Sequence, residues 1–186
     1  MKADITEIYR LLNNLIRTGT VLEVDTVRWL CRVQTGELQT TWLNWLTTRA
    51  GNARTWWKPS VGEQVLLLSI GGDLTTAFVL PAIYSDENPA PSTAENACVV
   101  LFPDKATFQY DPDTGALQIK GVKSVVMEAS NSITMKTKKL TITADETDIN
   151  GKVTQSGGDM SSNGIVVHTH KHSGVKSGGD NSGDPV

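Results

Sequence analysis

Several residue types are scarce in this chain, and each scarcity closes off a class of function. Cysteine occurs only at Cys31 and Cys98. One widely spaced pair is not the framework of a disulfide-stapled fold, and two buried free thiols are expected. Long apolar runs are missing, and none approaches the roughly 20 residues that a membrane-spanning helix needs. The start, Met1-Lys2-Ala3-Asp4, leads into an amphipathic pattern broken by Asn13 and Asn14, without the continuous apolar core of a secretory signal. A product made and kept in the cytosol is therefore expected. Basic charge is not in excess: 17 Lys and Arg stand against 20 Asp and Glu, a net charge of −3. The electrostatic footprint of a nucleic-acid binder is absent. Aromatic residues stop at Tyr110, so whatever follows must pack with small aliphatics alone.

What is present divides into four regions. Asp4 and Glu7 form a D-x-x-E capping box, after which Ile5, Ile8, Leu11, Leu12, Leu15 and Ile16 recur at helical spacing until Arg17-Thr18-Gly19 ends the pattern. Residues 1–18 are thus expected as one amphipathic helix, its stripe buried by the next domain or by copies of itself. Residues 19–84 change to strand patterning. Val21 to Val24 comes first, then Trp29, Cys31 and Val33 alternating with polar residues. Leu38 to Leu46, Gly62 to Leu68 and, after Gly71-Gly72-Asp73, Thr75 to Leu80 complete the set. About five strands in so short a span predict a small closed barrel of the OB type.

Residues 85–114 are expected as linker and transition, since Pro89 and Pro91 sit among small polar residues without periodicity. From 115 to 160, short alternating strands carry Leu117 and Ile119, Val125 and Met127, Ile133 and Met135, Leu140 and Ile142, and Ile149 and Val153. Each offers one narrow aliphatic face, and no helix in this half could cover it. A monomer cannot bury such faces. Three copies wound about an axis can: the aliphatics meet inside, strand edges pair between chains, and Lys136, Lys138 and Lys139 stay on the solvated outside. An intertwined triple-stranded β-helix in a homotrimer follows.

All three histidines, His168, His170 and His172, lie within residues 161–186, at spacing i, i+2, i+4. On a strand they share a face, and neutral imidazole is a common metal ligand. Two histidines per chain in a trimer supply six nitrogens. That octahedral set favours a metal such as iron or nickel over structural zinc, which takes four ligands; three per chain would overfill one ion. The glycine-rich end that follows could form a compact point around such an ion.

The segments Gly19-Thr-Val, Arg49-Ala-Gly51, Trp56-Trp57-Lys-Pro59, Val61-Gly-Glu-Gln-Val65 and Gly72-Asp73 together resemble the phage baseplate assembly protein V family, the central spikes of contractile tails and R-type bacteriocins. His170-Lys-His172-Ser-Gly-Val175 resembles that family's H-x-H tip motif. The resemblance spans nearly the whole chain in order. It implies an OB domain, a triple-stranded β-helix and a metal-bound tip. There one iron ion per trimer would be held by six histidines, which places the ligands at His170 and His172, because Ser173-Gly174-Val175 follow them. His168, one step upstream, is a departure from the pattern. The role implied is that of a spike that caps the tail tube and mechanically pierces the host outer membrane. Its partners are baseplate hub and tail tube proteins, and its place is the virion's baseplate tip after assembly in the host cytoplasm.

Competing readings are weaker. An enzyme would need a nucleophile motif or an open metal position, and a saturated octahedral ion offers none. A nucleic-acid-binding OB module could use Trp29, Trp42, Trp45, Trp56 and Trp57 as stacking platforms. Without a basic groove, those residues read as barrel core or subunit contacts. The spike of a type VI-like secretion machine is normally longer and carries a second barrel.

Overall fold

The computed structural model describes residues 4–171, 173, 174 and 178, and its contacts divide into two units, Met1–Met127 and Glu128–Val186. The first begins with helix α1 (Ile5–Asn14). Asp4 caps it, its carboxylate accepting from the Thr6 N–H at 3.0 Å. The capping box is only half made. Glu7 turns away from the cap and accepts from Nε and Nη2 of Arg10, each at 2.7 Å, one turn further on. The helix stops at Asn14, and Ile16, expected within the helical stripe, instead opens strand β1 (Ile16–Asp25) opposite Leu68. The Arg17 guanidinium locks this junction by donating to Asn14 Oδ1 (3.0 Å) and to Thr35 Oγ1 (3.0 Å).

Five strands close into a barrel. Alongside β1 these are β2 (Leu30–Thr35), β4 (Leu43–Trp45), β5 (Gln64–Leu68) and β6 (Phe78–Ile83), and a two-residue strand β3 (Leu38–Gln39) hangs on β2. The order β1-β5-β6-β4-β2 returns to β1, because β1 pairs with β5 through its first half and β2 through its second. All pairs are antiparallel except β4 with β6. The register slips between Val21 and Glu23, a bulge that lets one long strand bend around the barrel. Gly19 sits where this bend brings β1 onto β2: a Cβ there would strike the Val33 side chain and the Gln34 carbonyl. The core follows from period-2 patterning, with Cys31 and Val33 from β2, Val65 and Leu67 from β5, and Val21, Leu43 and Val79 from the rest.

Several expected elements are corrected. The strand placed at Thr75 to Leu80 starts later, at Phe78, because Asp73 accepts from the Thr75 N–H (2.9 Å) and hydroxyl (2.8 Å) and winds Leu74–Thr76 into a 3-10 turn. Leu38 to Leu46 is two short strands rather than one. Trp29 does not alternate into the barrel. It lies in the β1–β2 turn with φ 60° and 65% of its surface exposed. No tryptophan is in the core: Trp29, Trp56 and Trp57 are exposed, and Trp42 and Trp45 are half-buried. Both cysteines are free, as expected, but only Cys31 is buried. Burial, with a smaller push from Glu63, raises its thiol to about 11, so it is an inert packing residue.

Within the span 85–114, Cys98–Leu101 (β7) and Thr107–Asp111 (β8) pair as strands, and β9 (Ala116–Lys120) completes an antiparallel meander in the order β7-β8-β9. Trp57 stacks on Phe102 with ring centroids 6.0 Å apart, tying the loop before β5 to this meander.

Beyond β9 regular structure is sparse. Among the described residues, 121–159 belong to no helix or strand and form no backbone–backbone hydrogen bond within the chain. The aliphatics there lie open: Val126 is 85% exposed and Ile142 70%, with Val125, Met127, Ile133, Met135, Leu140, Ile149 and Val153 similarly bare. The second unit regains pairing only in a small hairpin, β10 (Ser161–Ser162) with β11 (Ile165–Val166). Its turn is Asn163-Gly164, both at positive φ (48° and 81°), the backbone that tight hairpins require and that Asn-Gly supplies at least cost.

Candidate metal-binding apex

The apex begins with that hairpin. Met160 and Val167 prolong the pairing by one bond, with the Val167 N–H donating to the Met160 carbonyl at 2.8 Å. The chain then leaves the strand: residues 167–169 form a turn, closed by Thr169 N–H on the Val166 carbonyl at 3.4 Å. A shared strand face therefore does not describe the placement of His168 and His170. The Asn163-Gly164 signal was in the sequence and marks the hairpin on which the histidines are mounted.

The two described histidines have different surroundings. His170 Nδ1 lies 2.7 Å from the Val167 carbonyl. A carbonyl can only accept, so Nδ1 carries a proton, and in the neutral imidazole that tautomer leaves the lone pair on Nε2. This is the arrangement that orients a ligating imidazole, whose second nitrogen commonly donates to a backbone carbonyl. The donor chemistry of His170 thus fits a metal ligand. His168 instead points Nε2 at Asp159 Oδ1, 3.4 Å away, an ion pair only when the imidazole is protonated. His172 lies outside the described residues. Among the described residues of one chain, no three His, Cys, Asp or Glu side chains come together as a possible metal site.

Residues 17–84 match the profile of the type VI secretion system/phage-baseplate injector OB domain, which coincides with the closed barrel from β1 to β6. Residues 164–186 match the GpV apex motif, which starts at the hairpin glycine and takes in all three histidines. Over 99% of this chain and 98% of the relative, the sequence is 44% identical to the spike protein of Escherichia phage P2. An OB barrel at one end of the chain, an apex motif at the other and 44% identity to a phage spike over nearly the full length leave one assignment: the chain belongs to the phage baseplate assembly protein V family of spike proteins.

Proposed function

We propose that this protein is the central spike of a contractile tail baseplate, working as a homotrimer whose residues 115–160 wind into a triple-stranded β-helix. One observation carries the proposal. Residues 121–159 hold a series of exposed aliphatics and have no backbone partner of their own, a state that only pairing with other chains relieves. In the trimer each chain supplies one wall of a prism, and the side chains bare in one chain become its interior.

The apex then falls on the threefold axis, where His170 and His172 of each chain would present six imidazole nitrogens to one iron ion. A metal there would cross-link three chain ends. The orientation of His170 by Val167 and the diversion of His168 toward Asp159 support this choice of ligands. The family is one of structural proteins, and the proposed role is mechanical, with no catalysis. No described helix is long and apolar enough to cross a membrane. In this reading the work comes from contraction behind the spike, which caps the tail tube, engages hub proteins at its barrel end and drives its apex through the host outer membrane. The similar spike protein belongs to a phage, which favours a phage-type tail over a type VI-like machine.

Sedimentation of the purified chain tests the trimer. A trimer at micromolar concentration is expected, with a melting midpoint that rises with protein concentration. A folded monomer would refute it.

A further inference from the structure

Helix α1 carries an apolar face that its own barrel covers along one edge only. That edge is Leu11 and buried Asn14, seated over the 3-10 turn Ile70–Gly72; Gly72, at φ 78°, comes so close that a Cβ would strike the Leu11 backbone. The rest of the face is bare. The aliphatics Ile5, Ile8, Leu12 and Leu15 remain 66%, 48%, 57% and 38% exposed, with Tyr9, 59% exposed, flanking them. Glu7 and Arg10 neutralise each other away from this stripe.

The spacing of the four bare aliphatics identifies what covers them. Steps of three, four and three are the a and d positions of a heptad, the narrow seam that helices bury against one another; a helix lying on a sheet shows a wider stripe. The seam holds no charge or polar group that would specify a different partner, and isoleucine at both a and d of its first heptad favours more than two strands. Ten residues are too short to associate unaided. Chains already joined elsewhere face a far higher effective concentration, so a weak seam suffices. The bare aliphatics of residues 121–159 call for such joining, independently of the helix.

We propose that α1 packs against the α1 helices of two further copies of this chain, in a parallel three-helix cluster whose seam is Ile5, Ile8, Leu12 and Leu15. This rests on the homotrimer reading. The cluster pins the three chains together on the N-terminal side of the barrels, so that the assembly is clamped before the barrel as well as after it. A trimer held only through its C-terminal half would leave the barrels free to splay.

The test uses the full chain with Cys98 replaced by serine, leaving Cys31, which is buried and has its thiol pushed up to about 11. Into this background go Ile8→Cys on the seam or Thr6→Cys away from it, each treated with a short bis-maleimide. In a threefold cluster Ile8→Cys should give covalent dimer containing up to about two thirds of the chains, and Thr6→Cys several-fold less. Equal yields from the two variants in a protein that sediments as a trimer would overturn the helix cluster and leave the trimer standing. Sedimentation as a monomer would remove both.

Discussion

Replacing Ile142 by alanine isolates the energy that holds the proposed shaft together. In one chain Ile142 is 70% exposed, so most of its burial is still to be gained. Full burial of an isoleucine is worth about 1.5–3 kcal/mol, which leaves about 1–2 kcal/mol per chain and about 3–6 kcal/mol over three copies. Alanine forfeits most of this, and imperfect collapse around the lost atoms adds to the cost. A loss of about 4 kcal/mol corresponds to a trimer dissociation constant weakened about a thousandfold. The barrel should be untouched, because none of its buried residues lies beyond Val79. Melting curves over a hundredfold range of concentration, with sedimentation at each point, separate the two effects. The shaft transition should fall and grow more concentration-dependent while the barrel transition stays. Ile142→Asp should abolish the trimer, since three carboxylates would be forced onto a dry axis. An Ile142→Ala protein with an unchanged midpoint, or a trimeric Ile142→Asp protein, would refute the interior placement of this residue.

Elemental analysis of three histidine variants checks the apex: His170→Ala and His172→Ala should lose iron while the trimer persists, and His168→Ala should keep it. Full occupancy in His170→Ala, or loss confined to His168→Ala, would overturn the ligand assignment. A pH effect is expected at the β1–β2 turn. There the Arg28 backbone N–H and guanidinium, with the Val27 N–H, hold the Asp25 carboxyl below its ordinary value. A depressed carboxylate contributes stability that is complete above its unfolded pKa of about 4 and is lost as pH falls through the lower folded value. The stability difference between wild type and Asp25→Asn, measured by urea titration, should therefore shrink below about pH 4. A difference independent of pH would show that the charge of Asp25 contributes nothing.

The residue pattern by itself determined that the fold is mainly β, with one N-terminal helix ahead of a closed OB-like barrel. Period-2 burial at Cys31, Val33, Val65 and Leu67 follows directly from alternation, and the Asp4 cap from a single polar residue ahead of an apolar helix. The clustering of His168, His170 and His172 marked the apex in the same local way. Local signals could not decide where competing contacts took over. Ile16 fits the helical stripe, yet it pairs with Leu68, because the sheet needs its backbone there. Trp29 fits an alternating strand, yet the Asp25 carboxylate winds the preceding residues into a turn that turns it outward. Thr75 reads as strand until Asp73 caps a 3-10 turn. In sequence His168 and His170 differ only in their place relative to Ser173-Gly174-Val175, and the structure gives them different surroundings. Asp159 draws one imidazole aside while the Val167 carbonyl sets the tautomer of the other, through contacts that no residue pattern encodes.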